Sequence, residues 1–224
     1  MVTREASPGP RGGVRTVPSA DFGPLALAVY PRVAAALAQD ASGHDLAHVL
    51  RVRTLALRLA AAEDADPVVV ELIALLHDVG SPSGRAEHGA RGAALARTWL
   101  EEAHAGPDLA KRVVDAIAAL SWSTGRTPDS LEGRLVQDAD RLDAIGAVGI
   151  GRAFAYGGAH GQGTGLPAAG VGPAAGTTVA HFAEKLLRLT GHLHTQAARR
   201  LAQGRHAFLV AFLERLDAEA VGEA

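Results

Sequence analysis

Apolar residues along this chain recur at helical intervals, and strand-like alternation is absent over any useful length. Between about Asp45 and Ala62, the positions Val49, Val52, Leu55, Ala56 and Leu59 trace one stripe of an amphipathic helix. Asp66-Pro67 supplies a capping residue and a first-turn proline, and predicts a helix running to about Val79. An earlier helix, about Leu25 to Gln39, is expected to bend or restart at Pro31. The pattern predicts further helices at about 88–103, 107–120, 131–156, 179–189 and 195–219, with no internal repeat. The expected fold class is all-α.

Two stretches escape this periodicity. Residues 1–20 are rich in Pro, Gly, Ser and Arg and read as a disordered leader, which leaves 21–220 as the folded domain. Residues 157–178, "GGAHGQGTGLPAAGVGPAAGTT", are too rich in Gly and Pro for a regular element and long for a loop. A flap, a lid or a disordered insertion fits that composition.

Composition narrows the class. Hydrophobic residues make up 48% of the 224, but aromatics only 4%, so the core is Ala, Leu and Val, as closely packed helices prefer. A net charge of −2 offers no basic footprint for nucleic acid or an anionic membrane, and neither is expected as a partner. The oligomeric state is left open. The absence of cysteine removes disulfides and thiolate metal sites, and fits a reducing cytoplasm. No opening segment resembles a signal peptide and no run is long enough to span a bilayer, so a cytoplasmic location is the expectation.

Against this background "ELIALLHDVGSP", Glu71 to Pro82, poses a chemical question. His77 and Asp78 end a helix that is apolar on every face, and burying both costs several kcal/mol unless something pairs with them. Two other segments place ionisable groups beside apolar stripes. His44 and His48 are four apart in "GHDLAHVLRV", and Asp140 and Asp143 are three apart in "QDADRLDAIGA". Taken singly, each His also fits a helix cap and Asp140 fits a surface pair with Arg141. Taken together, three helices delivering imidazoles and carboxylates make a bundle-core metal site, with His48 and Asp140 completing what His77 and Asp78 begin. Such a nitrogen/oxygen set suits one divalent ion: Mn, Fe, Co, Ni or Zn, with Mg less exclusively.

The same three segments resemble the HD-domain superfamily of metal-dependent phosphohydrolases. Its signature of a His, a His-Asp doublet and a distant Asp matches His48 in "HVLRV", His77-Asp78 in "ALLHDVG" and Asp140 in "DADRLDA". The stretches "HDLAHVLRV" and "LVQDADRLDAIGAVGIGRAFAYGG" are similar to the YedJ-like branch of small bacterial HD hydrolases, and the resemblance covers about Leu25 to Leu216. It implies a helical HD bundle and one divalent ion, Mn or Mg first, bound by His48, His77, Asp78 and Asp140. It implies hydrolysis of phosphoester or phosphoanhydride bonds, nucleotides being the leading substrates. Some relatives carry a His where this chain has Leu120 in "ALSWS", which favours a single metal ion.

Roles follow for the surrounding groups. Asp78 is a ligand and part of the catalytic set, Asp143 is a proton acceptor or ligand orienter, and His44 is a phosphate contact or acid to the leaving oxygen. Asp45, Arg51, Arg141 and His88 are candidate substrate contacts, the two arginines as phosphate clamps. Surface salt bridges fit those arginines equally well, and a solvent-facing position fits His88. Asp138 reads as a cap or second layer. His104, His160, His181, His192, His194 and His206 lie outside these three segments and read as surface or core-edge residues. The reaction expected is conversion of (deoxy)nucleoside triphosphates to monophosphate and pyrophosphate. The alternatives are a nucleoside monophosphatase, a phosphodiesterase or a non-catalytic nucleotide-binding HD module.

Overall fold

The computed structural model describes residues 21–40, 42–80, 88–120 and 126–223. The leader at 1–20 lies outside them, as does the side chain of His88. Among the described residues the architecture is all-α, as the periodicity predicts. Its helices are α1 (Pro24–Leu37), α2 (Leu46–Glu63), α3 (Pro67–Leu76), α4 (His88–Glu102), α5 (Pro107–Ala119), α6 (Leu131–Asp143), α7 (Gly146–Ala159), α8 (Thr178–Glu184) and α9 (Gln196–Ala220). A 3-10 helix, Leu186–His192, joins α8 to α9.

The centre is α3. Every residue from Val69 to Leu76 is buried, and fully burying each of its leucines contributes roughly 1.5–3 kcal/mol. It packs against α1, α2, α5 and α6, while α2 also lies along α6 and α9 runs beside α6 and α7. Side chains cap the helices as the sequence suggests. Asp66 accepts from Val68 N and Val69 N at the start of α3, and Ser130, Thr177 and Thr195 do the same for α6, α8 and α9. Glu71, the one charge inside α3, meets Arg53 Nε at 2.8 Å and the Gly23 amide at 3.1 Å. Arg53 also stacks over Phe22, which pins the chain entering α1. Pro31 lies within α1 and does not restart it.

Two predicted helices are divided. The segment 131–156 breaks after Asp143 and resumes at Gly146, whose φ of +77° reverses the chain direction. A Cβ at Gly146 would lie 3.1 Å from Arg205 Cβ, so α9 closes over the turn as well. The segment 179–189 divides into α8 and the 3-10 helix.

Within 157–178, α7 continues to Ala159 and α8 begins at Thr178. Between them the chain is irregular apart from one bridge, Ala168 with Val171. Its base is fastened by Thr178 N to Gly163 O at 3.0 Å and Val179 N to Thr164 O at 2.9 Å. No described helix is long and apolar enough to cross a membrane.

Candidate metal centre

Three helix ends deliver the polar groups. His48 sits in the first turn of α2, which Asp45 starts by accepting from the His48 amide at 2.8 Å. His77 is the C-cap of α3, with Asp78 directly after it. Asp140 and Asp143 occupy the last turn of α6. His48, His77, Asp78 and Asp143 are all buried, so the cost raised by the sequence is real.

The hydrogen bonds settle which ring nitrogens face inward. His48 Nδ1 donates to Asp143 Oδ2 at 2.8 Å, and His77 Nδ1 donates to the Ala74 carbonyl at 2.8 Å. Neither acceptor carries a proton to give back, so in each neutral ring the lone pair is on Nε2. Those two Nε2 atoms face each other at 3.3 Å. Two lone pairs at that distance repel unless a cation lies between them. Asp78 Oδ2 lies 3.4 Å from His48 Nε2 and 3.7 Å from His77 Nε2, and Asp140 Oδ1 lies 3.5 Å from His48 Nε2. Such separations belong to ligands about 2.0–2.2 Å from one shared ion. The donor set therefore fits a divalent metal.

Ionisation agrees. Burial opposes a charge on His48, but the hydrogen bonds it donates to Asp143 and Asp78 outweigh that and hold its pKa at about 9 in the metal-free protein. A proton on His48 then stands where a metal would. Burial lowers the pKa of His77, keeping that ring neutral. Burial alone would raise Asp78, yet His77, His44 and His48 together hold it well below the usual carboxylate range. Asp143 is likewise depressed, by His48 and Arg51 against the effect of burial.

The residues around these four take specific positions. His44 Nδ1 donates to Asp78 Oδ2 at 2.8 Å, with its ring edge toward His48 and Tyr156. Asp143 does not face the inter-histidine space. Its carboxylate receives His48, both Nε and Nη2 of Arg51 at 2.8 and 3.0 Å, and Arg152 Nη1 at 3.1 Å. Of the two roles read for Asp143, orienting a ligand is the one this geometry serves.

Three substrate contacts expected from sequence are engaged elsewhere. Arg51 is forked onto Asp143, Asp45 caps α2, and Arg141 turns toward the His192 carbonyl and His194 Nε2. The reason is common to all. Each lies beside a buried acceptor or an open helix end that claims it first. His194, read as a surface or core-edge residue, also meets Gln137 Oε1 at 2.7 Å. Asp138 is fully buried and holds the chain entering α9, accepting from His194 N at 2.8 Å and from Thr195 N and Oγ1 at 2.9 Å. Leu120 is the C-cap of α5 and packs against the core.

Sequence reasoning missed Arg152. On one continuous helix it would lie on the face opposite Asp143, nine residues away at 100° each. The turn at Gly146 brings it back. Its signal was that glycine.

Comparison with known proteins shows the family. The HD domain family model matches residues 45–145, a span holding His48, His77, Asp78, Asp140 and Asp143 but not His44 or Arg152. The uncharacterized protein YpgQ of Bacillus subtilis is 38% identical over 200 residues, covering 83% of this chain and 89% of its own. A crystal structure of B. subtilis YpgQ in complex with ADP superposes with a TM-score of 0.73 at 35% identity, over 88% of this chain and 96% of that one. An HD-superfamily hydrolase from Bacillus thuringiensis gives a TM-score of 0.68 at 39% identity, over 85% and 94%. The chain belongs to the HD-domain family of hydrolases.

Proposed function

We propose that this HD-domain protein is a divalent-metal-dependent nucleotide phosphohydrolase that cleaves nucleoside triphosphates to monophosphate and pyrophosphate. The observation that carries the reading is the pair of inward Nε2 atoms 3.3 Å apart, flanked by Asp78 and Asp140. His48, His77, Asp78 and Asp140 would hold the ion, which supplies charge neutralisation at a phosphoryl oxygen and acidifies water.

The protein's own groups do the rest. Asp143 and the Ala74 carbonyl fix the two imidazoles so that both Nε2 atoms point inward. Asp78 holds His44 by Nδ1, leaving Nε2 for a substrate oxygen. In hydrolysis the attacking water oxygen bonds phosphorus as the bridging P–O bond breaks. A proton on His44 Nε2 would then pass to the departing oxygen, and the proton shed by the attacking water would restore it.

Nucleotide as the ligand class is supported by the ADP complex of B. subtilis YpgQ. With Arg51 and Arg141 turned away from the ligand cluster, the choice of bond rests on the resemblance to nucleotide-hydrolysing HD enzymes, not on a ring of phosphate clamps. A panel of nucleoside mono-, di- and triphosphates, ATP and dATP included, tests the reading with Mn²⁺, Mg²⁺, Co²⁺, Ni²⁺ and Zn²⁺. Monophosphate plus pyrophosphate from triphosphates is expected. Nucleoside diphosphate plus orthophosphate from a triphosphate would exclude cleavage at the α-phosphorus, and nucleotide binding without turnover would leave a sensor.

A further inference from the structure

Asp143 receives more positive charge than it needs. Arg51 already donates to both of its oxygens, and His48 donates to one of them. Bringing a second, largely buried guanidinium to the same carboxylate costs desolvation that one extra bond does not offset. Arg152, however, divides its donors between two acceptors. Nη1 reaches Asp143 Oδ2 at 3.1 Å, while Nε donates to the Gly43 carbonyl at 2.8 Å.

Gly43 belongs to the loop that presents His44. Its φ is +87°, and a Cβ there would lie 3.5 Å from the Arg152 side chain, so loop and arginine are in close contact. The loop is held on its other side by Asp40, which accepts from the His44 amide at 3.0 Å, and at its tip by His44 Nδ1 on Asp78. One side chain from α7 thus touches both the carboxylate that orients His48 and the backbone that carries His44.

We propose that Arg152 is a positioning residue that locks the His48–Asp143 pair and the His44 loop to each other. Through Asp143 it fixes which nitrogen of His48 faces the metal position. Through Gly43 it fixes where His44 stands over Asp78. The second effect rests on the hydrolase reading above, whereas the first does not.

Arg152→Met keeps the stem and removes both donors. Arg134→Met is the control, since Arg134 also makes two guanidinium–carbonyl bonds, to Pro128 and Asp129. Metal-stripped Arg152→Met should bind Mn²⁺ about 10–100-fold more weakly by calorimetry, with the control matching the parent. Its kcat on the best nucleotide should fall by roughly 10–100-fold with little change in KM. The fall should be smaller in a His44→Ala background. Arg152→Lys has one nitrogen for two acceptors and should restore at most one of the two readouts. If the methionine variant does not fold, Arg152→Gln and Arg152→Lys carry the comparison. Parental Mn²⁺ affinity in Arg152→Met, or an equal loss in Arg134→Met, would overturn the proposal. An equal fall in kcat on both backgrounds would remove the His44 half. If the parent hydrolyses no nucleotide, the hydrolase reading fails while the Mn²⁺ titration still decides the link to His48.

Discussion

At the scale of single residues, the centre is governed by where each histidine spends its one donor. His48 and His77 both spend Nδ1 on an acceptor outside the metal position, so the space between them must hold a proton or a metal. This fixes a pH dependence. The pKa of His48, about 9 in the folded metal-free protein, lies above its ordinary 6.5. Its charge therefore stabilises the fold fully below about pH 6.5, and that contribution is lost as pH rises through about 9. Thermal melts of stripped protein should show falling stability over that window. With Mg²⁺, which replaces the proton and stays soluble, the decline should be smaller. Parallel pH profiles with and without metal would contradict this. The meeting of His48, His77, Asp78 and Asp140 was legible because three separate segments set ionisable groups beside apolar positions. The roles of Arg51 and Arg141 were not, because spacing along a helix does not reveal which buried acceptor a long side chain will reach.

At the scale of elements, most of the fold was legible. Asp66-Pro67, Ser130 and Thr195 mark starts that capping chemistry makes readable, and the stripe of α2 follows helical period. The failure at 131–156 is informative. The predicted helix runs on through "DAIGAVGIG", and it is Gly146 that signals the turn. That turn sends α7 back across the end of α6 and puts Arg152 on Asp143. Gly146→Ala should therefore cost about 1–3 kcal/mol through the left-handed backbone alone, and the approach of Arg205 adds to it. For a chain of this size the melting midpoint should fall about 2–4 °C per kcal/mol. An unchanged midpoint would mean that packing around α9, and not the glycine, imposes the break.

At the scale of the molecule, α3 is the hub that lets three distant segments meet. It buries all its faces against α1, α2, α5 and α6, and its C-terminal end delivers His77 and Asp78 to the side where α2 begins and α6 ends. Both candidate ligand groupings, His44–His48–Asp78 and His48–His77–Asp140, share His48, whose single inward nitrogen serves one ion. The convergence could be inferred from sequence only by taking the three segments together, since each one singly fits a cap or a surface pair. The crossing of α7 over α6 depends on long-range packing and could not. Titrating Mn²⁺ into metal-stripped protein by calorimetry, beside His77→Ala, tests the central claim most directly. The account predicts one ion per chain in the parent and no saturable binding in His77→Ala. Undiminished binding in His77→Ala, or a second ion of equal affinity in the parent, would contradict it.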